Sequence, residues 1–206
     1  MPGLKEKVAR QFSHPAGILG RLTGLLMEWE NHRLNQLVVQ QLAPAGQEQI
    51  LEVGFGTGRT LAHLSGQTQC GAVAGIDPSG LIVAQAGRRC RRWIRRGRAE
   101  VIQGDVSDLP YTDSRFDAVL SVNTIYFWPD PQQAIKEIHR VLKPGGRLLL
   151  GYHTAETMED LQAHGFRLYT DLQIMTLLTA GGFEVDQPTH DPTAPYGATC
   201  LKAFRR

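Results

Sequence analysis

The sequence predicts a doubly wound α/β fold: a mostly parallel sheet of seven strands, the last antiparallel, behind an N-terminal helical cap. Three observations carry this expectation. The apolar run Ile50-Leu51-Glu52-Val53 breaks into glycines at every second position, Gly54, Gly56 and Gly58, and a helix pattern follows with Leu61, Ala62 and Leu64. From there to Tyr152, short apolar runs alternate with segments of helical period, the rhythm of parallel strands joined by crossover helices. The final two strand patterns, 183–187 and 198–204, read as an antiparallel closing pair joined by a loop.

Size and composition bound the answer. The 206 residues suit one core domain with a small appendage, and 42% hydrophobic with 20% charged residues is globular usage. We divide the chain into a cap over 1–44 and a core domain over 45–206. No run of ~18 apolar residues suggests a membrane span, and the N-terminus lacks the layout of a secretory signal. Cys70, Cys90 and Cys200 are widely spaced, with no C-x-x-C pair or zinc pattern, so no metal is expected and a reducing cytoplasm is the natural location. The net charge of +2 excludes a polyanion binder built on overall charge. Its distribution is uneven: seven arginines lie between Arg88 and Arg98, leaving 15 basic against 20 acidic residues, a balance of −5.

Taken in order, residues 4–12 form a short amphipathic helix candidate, interrupted by His14-Pro15-Ala16-Gly17. Residues 18–42 read as helix in one or two pieces, with Leu19, Leu22, Leu26, Trp29, Leu37 and Val38 apolar, and Pro44 and Gly46 ending it. A cap packed on the core competes there with a membrane-surface helix over 18–27, which has only Arg21 as basic charge. The strand at 50–53 and its glycine turn build a nucleotide-type site, where helix-N-terminal amides face the ligand and bare backbone allows close approach. A dinucleotide fingerprint needs G-x-G-x-x-G, yet position 59 is Arg59.

The second strand, 72–77, ends in Asp77, an acid placed to accept hydrogen bonds from ribose hydroxyls. Pro78 and Ser79 open a helix over 79–96, whose apolar half holds Ile82, Val83, Ala86, Cys90, Trp93 and Ile94 and whose other half holds the arginines. That basic face is either a solvated surface or a contact for an anionic partner or membrane surface. The third strand, 99–105, closes on Asp105. Strand four, 116–122, delivers Asn123-Thr124-Ile125-Tyr126-Phe127-Trp128-Pro129 to the carboxyl edge of the sheet, where ligands sit. Helix 130–142 turns Ala134, Ile135, Ile138, Val141 and Leu142 inward and His139 outward. The turn Lys143-Pro144-Gly145-Gly146 precedes strand 147–152, which brings Tyr152 and His153 to the same edge. Helix 170–180 follows. The loop 188–197 holds His190, Asp191 and Tyr196, within reach of a substrate mouth.

Glu52-x-Gly54-x-Gly56-x-Gly58, the stretch Leu109-Pro110-Tyr111-Thr112-Asp113-Ser114-Arg115-Phe116-Asp117 and the Pro-Gly-Gly turn together resemble the class I S-adenosylmethionine-dependent methyltransferases. The resemblance covers about 46–204 and is closest in general look to small-molecule enzymes of quinone and lipid biosynthesis. It implies a Rossmann-like sheet and S-adenosylmethionine as cofactor, bound by Glu52, Gly54, Gly56, Gly58, Asp77, Pro78, Asp105, Val106 and Asn123. Asp105 would accept from the adenine amino group and Val106 would offer its backbone N–H. Methyl transfer from a sulfonium needs alignment and desolvation more than a protein nucleophile. For an acceptor that must lose a proton, His153 and then Tyr126 are the candidate catalytic residues. The substrate side is expected to include Tyr126, Trp128, Tyr152, His153, His14 and Tyr196. Amino-methylating nucleic-acid enzymes carry two prolines where this chain has Thr124-Ile125, so a small-molecule acceptor is expected and nucleic acid is not. Two other readings stay open: a non-catalytic adenosylmethionine-binding scaffold docked through its arginine face, and a nicotinamide-dependent oxidoreductase.

Overall fold

The computed structural model describes residues 32–67, 70–157, 167–194 and 197–206. The expectations for 1–31, with His14, and for Tyr196 lie outside them. Strand β1 (Glu48–Val53) sits between β2 (Cys70–Asp77) and β4 (Phe116–Val122) and is parallel to both. With β3 (Ala99–Gln103), β5 (Leu142–Tyr152), β6 (Phe183–Val185), β7 (Thr189–Asp191) and β8 (Ala198–Arg205), the sheet runs β3-β2-β1-β4-β5-β8-β6, with β7 also on β8. β8 is antiparallel to β5, β6 and β7. The expected seven strands become eight because the edge strand is broken. β6 pairs with residues 203–205 of β8 and β7 with 198–200. Between them falls Pro188, which has no N–H to give a ladder. The strand order reverses between β1 and β4, and a crevice opens there at their carboxyl ends.

The apolar runs look uniform in sequence, but alternate residues serve opposite faces, as a pleated strand requires. On one face, Ile50 and Leu149 pack with Leu34, Val38 and Leu42 of α1 (His32–Leu42), Leu61 and Leu64 of α2 (Arg59–Gly66), and Ala86 of α3 (Gly80–Arg89). On the other, Leu51, Leu148 and Leu150 pack with Ile135 and Ile138 of α5 (Pro131–Val141) and Ile174 and Leu178 of α6 (Asp171–Ala180). α1 lies on β4, β5 and β8. It comes so close that a Cβ on Gly151 would lie 2.6 Å from Val38 Cγ2. Arg147 locks the junction, donating to Leu42 O at 2.8 Å and to Glu48 at 2.7 and 2.9 Å.

Three local expectations are corrected. The helix over 79–96 splits at Cys90 (φ −88°, ψ 1°) into α3 and the single turn α4 (Arg91–Ile94), and Ile94 is 38% exposed. Cys90 is buried and its thiol donates to Gly58 O at 3.7 Å, which draws the chain inward at that point. β5 begins at Leu142, before the Pro-Gly-Gly turn, because Leu142 pairs with Phe116 across a register shift. His139 does not face solvent: it is half-buried, edge-on to Phe183 at 5.2 Å, and burial lowers its pKa. The three cysteines are buried free thiols, and burial pushes Cys90 up to about 11 and Cys200 up to about 12. Among the described residues, no helix is long and apolar enough to cross a membrane.

Candidate active site

A cleft of about 590 Å³ lies beyond the carboxyl ends of β1 to β4. Its first wall is the glycine loop. All three glycines are left-handed, with φ of 70°, 50° and 74°, a conformation that favours glycine. Each has its own reason. A Cβ on Gly54 would sit 2.3 Å from Thr124 Cγ2; one on Gly58 would sit 2.7 Å from Ala86 Cβ; one on Gly56 would meet nothing within 4 Å. Gly54 and Gly56 line the cleft, and Gly58 does not. Gly58, expected at the ligand with the other two, starts α2 and lets α3 pack close.

Glu52 lies at the base of the cleft, 3% exposed. One carboxylate oxygen, Oε2, has no hydrogen-bond partner among the described residues. Burial, and then the nearby Asp77 carboxylate, push its pKa up to about 8, against a bond from the Leu61 backbone N–H. Asp77, also buried, accepts from Ser79 N at 2.9 Å, and Ser79 caps α3 by accepting from Ile82 N. Asp105 accepts from Ser107 N at 2.7 Å. These local turns aim both carboxylates from the ends of β2 and β3 toward one space, which Pro78 and Val106 also line. Ile76, Ile82, Val106 and Trp128 make its apolar walls.

Asn123 closes the far side. It holds φ +55°, a region Asn tolerates better than most side chains, and its N–H donates to Gly151 O at 2.8 Å. Beside it, Trp128 is 6% exposed and lines the cleft. The neighbouring candidates do not. The Tyr126 hydroxyl is bonded to the His153 backbone, donating to its carbonyl at 2.9 Å and accepting from its N–H at 2.6 Å. The His153 ring, 5% exposed, is hydrogen-bonded to Gly197 O through Nδ1. Tyr152 is fully buried and donates to Asp171 Oδ1 at 2.6 Å. Burial raises both phenols far above their ordinary pKa. None of the three lines the cleft, which corrects the placement expected of them. His190 and Asp191 line a second cavity of about 540 Å³ with Asp171 and Thr199.

A further wall comes from α1 and α2, most of whose lining residues sequence reasoning does not single out. α1 contributes His32, Asn35, Gln36, Val39 and Gln40, and α2 contributes Arg59, Thr60 and His63; Thr57 joins them from the loop. Thr60 Oγ1 donates to Asn35 Oδ1 at 3.1 Å and ties the two helices. The signal was a stripe at helical spacing opposite Leu34, Val38 and Leu42. Among the described residues, no group of three His, Cys, Asp or Glu side chains is placed to hold a metal ion.

Residues 51–150 match the family model described as a methyltransferase domain. The chain is 32% identical over 166 residues to the uncharacterized methyltransferase YdaC of Bacillus subtilis, covering 79% of this chain and 86% of that one. It is 30% identical over 163 residues to the demethylmenaquinone methyltransferase of Clavibacter sepedonicus, covering 79% of this chain and 64% of that longer one. In fold it is similar to a SAM-dependent methyltransferase from Thermotoga maritima, with a TM-score of 0.72 at 22% identity, covering 98% of this chain and all of that one.

Proposed function

The chain belongs to the methyltransferase domain family, and from that premise we propose that it transfers a methyl group from S-adenosylmethionine to a small-molecule acceptor. One observation carries the reading. Bare backbone at Gly56, the carboxylates of Asp77 and Asp105, and the buried, under-partnered Glu52 converge on a single cleft. These groups fit the cofactor: two acids for sugar and base, an apolar slot for the rings, and an acid at the base for a cationic amino acid end. When bound, S-adenosylmethionine supplies an electrophilic methyl on a sulfonium.

The residues of this chain do the rest. Asp77 would take the ribose hydroxyls as acceptor, and Asp105 and Val106 would hold the adenine edge. The open side of Gly56 admits the chain next to the sulfur. Trp128 and Phe127 border the acceptor's approach and exclude water from it. Holding both partners in line can remove ~7–11 kcal/mol of the barrier. The acceptor is a small molecule with an apolar part, consistent with this aromatic border and with the acceptor named for the demethylmenaquinone methyltransferase. His153 and Tyr126 are not assigned as bases, because neither lines the cleft, the Tyr126 hydroxyl is bonded to the His153 backbone and His153 Nδ1 is bonded to Gly197 O.

The test has two arms. Metabolite extracts incubated with isotope-labelled S-adenosylmethionine should show one labelled small product with the wild-type chain and much less of it with Asp77→Ala when the donor is limiting. Calorimetry should show Asp77→Ala weakening donor binding by ~1–3 kcal/mol, the worth of a hydrogen bond to a charged group. Unchanged donor affinity in that variant, or label appearing only in nucleic acid, overturns the reading.

A further inference from the structure

No acidic residue occurs between Asp77 and Glu100, while seven arginines do. The break at Cys90 redistributes them. Arg89 and Arg98 are used internally: Arg89 donates to Thr57 Oγ1 at 2.9 Å, and Arg98 donates to the carbonyls of Gln67 and Cys70. The other five, Arg88, Arg91, Arg92, Arg95 and Arg96, are exposed and have no carboxylate partner among the described residues. Glu100, the next acid along the chain, is taken by Arg115 at 2.8 Å.

This cluster is held in shape. The guanidiniums of Arg92, Arg96 and Arg98 lie 4.3, 5.4 and 5.9 Å from the centre of the Trp93 ring. The ring packs so closely on α2 that a Cβ on Gly66 would come within 3.3 Å of it. Trp93 thus serves as a fixed plate that gathers like charges, which repel unless an anion faces them. Beside them Ile94 stands 38% exposed, a branched aliphatic side chain amid arginines.

We propose that this end of the molecule, centred on Arg91 to Arg96, docks on an anionic phospholipid surface. Guanidiniums match lipid phosphates, and Ile94 is suited to enter the acyl boundary. A single-stranded nucleic acid fits less well. Base binding needs open aromatic faces, and here guanidiniums crowd the one aromatic ring. The position has a consequence. Arg98 holds the first residue of β2, and Ala99 begins β3, so the patch lies where these strands start. The cleft lies where they end. A docked molecule therefore turns its cleft toward water, and surface binding places the enzyme without feeding it.

Co-sedimentation of the full chain with vesicles tests this. Equal mixtures of phosphatidylcholine and phosphatidylglycerol should retain the wild type at low salt and release it as salt rises. Phosphatidylcholine alone should not retain it. The quadruple variant R91Q/R92Q/R95Q/R96Q should lose at least tenfold in vesicle affinity, since each basic group near such a surface contributes roughly fivefold. Ile94→Ser should lose severalfold at high salt, where the charge contribution is screened. Both variants should bind S-adenosylmethionine as wild type does, which separates lost docking from lost folding. Equal retention on uncharged vesicles, retention of the quadruple variant, or binding of an oligouridylate probe without vesicle binding overturns the proposal.

Discussion

At the scale of single residues, three glycines that look alike do different work. Gly56 faces open space in the cleft, and Gly58 faces Ala86 on the neighbouring helix. Gly56→Val should therefore reduce donor affinity at least a hundredfold in calorimetry, with a stability cost of ~1–2 kcal/mol from its left-handed backbone. Gly58→Ala should show the opposite balance. Strain plus an overpacked contact should cost about 2–4 kcal/mol in urea unfolding, with donor affinity of the folded fraction within a few fold. Equal losses of affinity in the two variants would contradict the division drawn from geometry. The motif was plain in the sequence, but the division of labour within it was not, because Ala86 is 28 residues away along the chain. Tyr126, Tyr152 and His153 taught the reverse lesson. Their position at the ends of strands four and five was legible, yet the two phenol hydroxyls and His153 Nδ1 are bonded within the protein and none of the three side chains lines the cleft.

At the scale of elements, the loop that carries Asp105 and Val106 is held from behind by α5. Arg140 donates to Glu137 at 2.8 and 2.7 Å, to Asp113 at 2.8 Å, and to the carbonyls of Tyr111 and Leu109 at 2.7 and 2.9 Å. Glu137 in turn accepts from Leu109 N at 2.8 Å, and the Arg140 hydrogen bond keeps its carboxyl below the ordinary range. Arg140→Gln strips this clamp while leaving the apolar face of α5 intact. We expect a stability loss of about 2 kcal/mol, tempered because the side chain is about a third exposed. Hydrogen exchange should quicken across 106–111, and donor affinity should fall severalfold. Unaltered exchange in that loop would show that it holds itself. The match of residues 109–117 to a family pattern identified the loop; its anchor, some 30 residues on, lies outside that pattern.

At the scale of the whole molecule, Glu52 couples the cleft to global stability. Its folded pKa, about 8, lies above the ordinary 4.5, so the folded state keeps a proton that the unfolded chain releases. Its contribution to stability is thus fully present below about pH 4.5 and is lost as pH rises toward about 8. Glu52→Gln should flatten stability across that window and leave the free protein more stable than wild type at pH 8, as urea midpoints at pH 5 and 8 would record. A cationic ligand should favour the carboxylate, so donor binding near pH 7 should release protons, visible as a buffer-dependent calorimetric enthalpy that Glu52→Gln abolishes. Identical pH slopes for the two proteins would refute the burial account.

Periodicity and punctuation alone determined the order of the first five strands, the glycine turn and the acids at the ends of the second and third strands. Those features are local: alternation, a left-handed turn and an acid after an apolar run are all written within ten residues. Contacts between distant segments decided the rest. The docking of α1 against Gly151, the break at Cys90 and the loss of His153 to Gly197 each depend on neighbours 30 or more residues away, and the raised pKa of Glu52 depends on its burial in the packed core and on Asp77 at the end of the next strand. Which polar groups are spent and which remain for a ligand is settled by burial, and burial is a property of the packed chain.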